Sequence, residues 1–95
     1  MSQRQRVNET IEEIAEGRTL SEDYRVMLPV SLQKEYGLCE SVIDVVVSQG
    51  DVSVTITDAE VDDQGRFTVP AKKCDIYGME PGKTVDILVD QVVLR

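Results

Sequence analysis

Arg25-Val26-Met27-Leu28-Pro29 and, 41 residues further on, Arg66-Phe67-Thr68-Val69-Pro70 are two versions of one phrase. Each Arg stands four residues before its Pro, and each Pro eight residues before a Gly, in Tyr36-Gly37-Leu38 and Tyr77-Gly78-Met79. Self-similarity at a spacing of roughly 40 residues marks duplicated structural units. Past the Gly the first copy is one residue shorter, Cys39-Glu40-Ser41-Val42 standing against Glu80-Pro81-Gly82-Lys83-Thr84. Ile43, Val45 and Val47 then fall on Val85, Ile87 and Val89, an apolar residue at every second position, which is the pattern of a half-buried strand. Val46 and Leu88 occupy intervening slots, so these strands are expected to be partly covered on both faces.

The chain has 95 residues, the size of one compact domain. A unit of about 40 residues is too small to offset its ordering entropy with its own core, so the two copies are expected to fold as one interlocked object or to pair across chains. No apolar run approaches the ~20 residues of a membrane helix, and the N-terminus lacks the apolar stretch of a signal peptide, which leads to a cytoplasmic expectation with no membrane partner. Cys39 and Cys74 form no Cys-x-x-Cys pair, and the chain contains no His. Neither a zinc site nor a Cys–His nucleophile has its partners, and both cysteines read as free thiols in a reducing compartment. Asp62-Asp63 reads as a turn, there is no phosphate-binding Gly-rich loop, and no enzyme, metal or cofactor is expected.

Asp and Glu outnumber Lys and Arg by 18 to 10, giving a net charge of −8. Such a surface repels polyanions unless its few cations are clustered. High acidity with few lysines suits a salt-loving archaeal source, where molar salt screens charge over ~3 Å; an acidic mesophilic domain is the alternative.

Residues 7–16 read as a helix outside the repeats. Asn8 is a good N-cap, Glu9, Glu12 and Glu13 load the first turns, Ile11, Ile14 and Ala15 share one helical face, and Gly17 sits at the C-cap position. Residues 1–17 thus form an N-terminal helical appendage that packs on the domain or on a protein partner, and the residues before Val7 read as disordered. Repeat 1 spans 18–56 and repeat 2 spans 57–95, each read as β-β-α-β-β. In the first, a strand at 18–21 and a turn at 22–24 precede a strand at 26–28. A helix from Pro29 to Tyr36 follows, and then a hairpin of strands 43–47 and 52–56 turning at 49–51. The return strand runs on through 57–61 into the second copy, where Asp62-Asp63-Gln64-Gly65 is a tight turn, Pro70 starts a helix ending at Tyr77, and Glu80-Pro81-Gly82-Lys83 leads into strands at 85–89 and 92–94. Tyr36 and Tyr77 read as core residues with a wet hydroxyl.

The second copy, Val61-Asp62-Asp63-Gln64-Gly65-Arg66-Phe67-Thr68-Val69-Pro70 with Tyr77-Gly78-Met79-Glu80-Pro81-Gly82-Lys83-Thr84-Val85, resembles the AbrB/MazE/SpoVT family of swapped-hairpin DNA-binding domains. Residues 18–56 match more weakly, with Tyr24 in place of the Gly and no Pro-Gly, and the two copies cover about four-fifths of the chain. The resemblance implies an α+β, mainly β fold: two such units exchange hairpins to make one small barrel, here a dimer fused into a single polypeptide. It also implies a DNA-binding transcriptional regulator that presents cations on one face to double-stranded DNA. Arg66 matches the Gly-Arg of the motif and Arg25 is its counterpart; Lys72 and Lys73 sit where the family often carries cations, and Lys34 is the nearest equivalent in the first copy. Cys74 and Gln33 stand where the family commonly has Arg. The competing reading of the arginines is structural, each pairing with Asp23, Asp62 or Asp63 to hold a turn, and that of the lysines is a solvated face.

Two further functions stay open beside the regulator. One is the antitoxin of a toxin–antitoxin pair, against which stands the order of the chain: the extra segment precedes the repeats, and the chain ends on a strand. The other is an acidic protein-interaction module that has lost DNA binding, using residues 7–16 or its acidic surface. Both a monomeric pseudo-dimer and a homodimer are compatible with the duplication.

Overall fold

In the computed structural model, which describes residues 8–93, six strands and two short helices form a mainly β, α+β domain. In chain order the elements are β1 Asn8–Thr19, β2 Arg25–Met27, α1 Val30–Tyr36, β3 Val42–Gln49, β4 Val52–Glu60, β5 Arg66–Thr68, α2 Ala71–Tyr77 and β6 Thr84–Val93. A four-stranded antiparallel sheet runs in the order β1-β6-β3-β4, and β2 and β5 make a separate two-stranded antiparallel ribbon. The alternating apolar positions of the two copies share one core: Val26 and Phe67 of the ribbon and Ile43, Val45, Val47, Val85, Ile87 and Val89 of the sheet are buried together.

Residues 8–16 are strand and not helix, so the expected N-terminal helix is corrected; Val7 lies outside the described residues, as do 1–6, Leu94 and Arg95. Ile11 and Ala15 are four apart, a spacing that satisfies both a helical turn and two strand repeats, and both are buried. Ile14 discriminates, since a helix would bury it beside them, whereas here it is 65% exposed. A lone helix of this length is marginal in water, and the ladder offered by β6 outweighs its capping signals. The segment is therefore an edge strand of the main sheet and no appendage. The two strands expected at 85–89 and 92–94 are likewise one element as far as Val93, β6, with a register shift at Asp90 in place of a turn.

Pro29 and Pro70 occupy the caps just before α1 and α2, with φ −58° and −56°, and each helix stops at a left-handed glycine, Gly37 or Gly78. The tyrosines before those glycines differ: Tyr36 packs against the core and its hydroxyl donates to Glu13 at 3.2 Å, whereas Tyr77 is an exposed residue and not a core one. The closed barrel expected from the sequence does not form: β1 and β4 are open edges, and β2 and β5 are only three residues long. A left-handed residue, Tyr24 or Gly65, stops each ribbon strand on one side and a proline without an N–H on the other. Backbone bonds across the two turns join the ends of the sheet strands to the ribbon instead, Ser21 N–H to the Arg25 carbonyl at 2.9 Å after β1 and Asp62 N–H to the Arg66 carbonyl at 2.8 Å after β4.

Every ladder joins a strand before the Gly50 turn to one after it. The pairings also come in matched sets. Arg18↔Val85 and Ala15↔Ile87 flank a bulge on the β1–β6 ladder, and Ala59↔Ile43 and Ile56↔Val45 flank a bulge on β4–β3. The side chain of Asp86 accepts from Gly17 N–H and that of Asp44 from Asp58 N–H, each at 2.9 Å, so a carboxylate holds each bulge. In register the sheet sets are exchanged about the Val46↔Leu88 pair, and the two ribbon strands about Val26↔Phe67.

Candidate nucleic-acid interface

The ribbon is where the two candidate arginines meet. Val26 and Phe67 point into the core, so strand alternation turns Arg25, Met27, Arg66 and Thr68 outward on one face. Arg25 lies opposite Thr68 and Arg66 opposite Met27, which makes the two arginines diagonal neighbours, with backbones roughly 7–8 Å apart. Arg66 is braced by the turn before it: Asp62 accepts from the Arg66 and Gln64 backbone N–H groups and from Arg66 Nε, each at 2.9 Å. The Arg66 backbone N–H, followed by the other donors of this turn, holds the Asp62 carboxyl below the usual aspartate range despite the opposing desolvation.

Arg25 is held differently. Ser21 takes the structural place of Asp62, its hydroxyl accepting from Arg25 N–H at 3.0 Å, and the guanidinium pairs with Asp23 at a looser 3.5 Å. The Asp23 carboxyl is also shifted down, first by its hydrogen bond from Ser21 and then by Arg25 against desolvation, with a further contribution from Arg66. Exposed pairs of this kind contribute little to stability and release a guanidinium readily. Both arginines thus carry the structural role expected of turn residues, yet stay on the solvent face at 47% and 32% side-chain exposure.

Lys73 Nζ donates to the Thr55 carbonyl at 3.1 Å, tying α2 to β4, while Lys34 and Lys72 stand exposed on their helices without an ion pair among the described residues. Gln33 and Cys74 point inward: Gln33 donates to the Leu28 carbonyl at 2.7 Å, and Cys74 is buried, its thiol pushed up by desolvation and then by Asp75. Sequence reasoning missed Arg18, whose Nε donates to the Met27 carbonyl at 3.0 Å along the outer edge of β2. Met27 and Thr68 were missed too, although their alternation with Val26 and Phe67 carries the signal.

The outer face of the four-stranded sheet has the opposite character. Ile14, Leu88, Val46 and Thr55 form a row across its strands, with Asp44, Asp86 and Glu16 on the neighbouring outward positions. The Lys73 ammonium reaches the end of this row at the Thr55 carbonyl; among the described residues no group of three acidic or cysteine side chains could hold a metal ion, and no helix is long and apolar enough to cross a membrane.

Known proteins add a likeness of fold. No protein-family model matches the chain, and no curated protein matches it. The solution structure of PHS018 from Pyrococcus horikoshii is similar, with a TM-score of 0.75 at 21% identity over 92% of this chain and 97% of that one. The architecture is therefore shared with a solved structure across nearly its whole length.

Proposed function

We propose that this protein is a DNA-binding transcriptional regulator of the AbrB type, built as a fused pseudo-dimer whose ribbon enters the major groove. The observation that carries the reading is the diagonal pair Arg25 and Arg66 on the outward face of a two-stranded antiparallel ribbon. A β-ribbon fits the major groove, and an Arg on a rigid platform can donate two hydrogen bonds to the guanine edge. The matched registers support the duplication, because two unrelated halves would have no reason to share bulges, capping carboxylates and helix stops. The excess of negative charge lowers affinity at low salt, and the sparse cations limit the number of phosphates neutralised.

The test is selection of binders from a random duplex pool, together with the chain's own upstream DNA, followed by salt titration of wild type and an Arg25→Ala/Arg66→Ala double variant. Wild type should bind with a log–log salt slope of about −2 to −4, and the variant should lose most of its sequence preference with a smaller change in slope. No binding at any salt, or a folded double variant that binds as wild type does, would overturn the reading. The acidic outer face of the sheet favours a second function in that event, an interaction module for a basic protein partner.

A further inference from the structure

We infer that the chain binds duplex DNA in one orientation, on a site whose two halves differ in sequence. This rests on the DNA-binding reading and sharpens it. A two-fold protein matches a palindrome because both ends of the site meet the same side chains. Here the matched registers relate strands whose backbone pairings agree and whose side chains do not.

Each matched position on and beside the ribbon breaks the symmetry in what it can offer to DNA. Arg18 corresponds to Ala59, so only the β1 side carries an arginine along the ribbon edge. Met27 corresponds to Thr68, which sets a thioether against a hydroxyl on the outward face: the first suits a thymine methyl, and the second can donate or accept. Arg66 is fixed by a 2.9 Å ion pair and its turn, whereas Arg25 is more exposed and held at 3.5 Å, so one guanidinium is presented in a set direction and the other can adapt. Beyond the ribbon, Lys72 and Lys73 correspond to Ser31 and Leu32, and Lys34 to Asp75. Reversing the chain on its site would exchange all of these at once. The loss of a single bidentate contact already costs on the order of tenfold in affinity, so the reversed complex is a minor species.

Cys39 supplies the handle for the test, since it is exposed while Cys74 is buried. It lies on the Gln33 side of the Asp62 turn, and the position matched to it in the second copy, Glu80, carries no thiol. The full-length protein is labelled at Cys39 with an iron chelate that cleaves nearby DNA and is bound to duplexes selected from a random pool. The expected result is a set of selected sites without inverted symmetry, cut on one side of the site at least tenfold more than on the other. Arg18→Ala, checked for folding by circular dichroism, should bring that ratio at least threefold closer to parity. Palindromic sites cut equally on both sides would overturn the inference and leave DNA binding standing, and a protein that selects no DNA would overturn both.

Discussion

Gly65→Ala adds one methyl group beside the ribbon, and the structure gives that methyl two separate costs. The first is conformational, because Gly65 has φ +81°, where a side chain costs roughly 1–2 kcal/mol. The second is steric, because a Cβ at this position would fall inside the side chain of Gln33. Gln33 must then withdraw and give up its bond to the Leu28 carbonyl, a loss of about 0.5–1.5 kcal/mol. The lower entropy of an alanine in the unfolded chain returns about 0.4–1 kcal/mol. The net expectation is a loss of about 1–3 kcal/mol, read as a fall in the urea midpoint with an unchanged slope. Gly37→Ala is the control, since Gly37 has φ +61° with open space around its would-be Cβ, and it should show the conformational cost alone. Shortening the obstruction with Gln33→Ala should be non-additive with Gly65→Ala by about 1 kcal/mol, because the methyl then has room. Additive changes, or a Gly65→Ala no worse than Gly37→Ala, would refute the argument that Gln33 seals this corner.

Glu40 has φ +62° at the position matched by Gly82, so Glu40→Gly should leave stability level or raise it by up to about 1 kcal/mol, whereas Gly82→Ala should lower it; urea unfolding compares the two. Asp62 ionises more easily folded than unfolded, so its contribution is present above the unfolded aspartate value and lost as pH falls through the folded one. Acid unfolding should accordingly begin below about pH 4, with Asp62→Asn abolishing that part of the pH dependence. A thiol reagent should modify Cys39 rapidly and Cys74 only on unfolding, since burial both shields the Cys74 sulfur and disfavours its thiolate. Because every ladder crosses the Gly50 turn, fragments cut there should lack stable sheet when separate and regain it when mixed, as followed by circular dichroism.

Much of the fold was legible because alternation and punctuation acted locally. The Pro29 and Pro70 starts, the Gly37 and Gly78 stops and the β3–β4 hairpin at Gln49-Gly50-Asp51 each depend on residues within a turn of one another. Residues 8–16 were misread for the complementary reason. Their apolar spacing is consistent with two periods, and the strand that decides between them, β6, lies some 70 residues away. The site divides along the same line. Arg25 and Arg66 could be singled out from the repeated phrase, while the pull of Lys73 toward Thr55 and the docking of Arg18 on Met27 depend on neighbours no local pattern names.

The sequence by itself determined that one phrase occurs twice, that its strands alternate and where its helices stop, because these are consequences of side-chain period and backbone freedom at single positions. Only the tertiary structure decided that each strand takes its partner from across the Gly50 turn, and that the two arginines lie diagonal on one outward ribbon. Strand pairing is a choice among distant edges, made by the burial of Val26, Phe67 and the β3 and β6 apolar rows together, and that burial exists only once the chain has closed on itself.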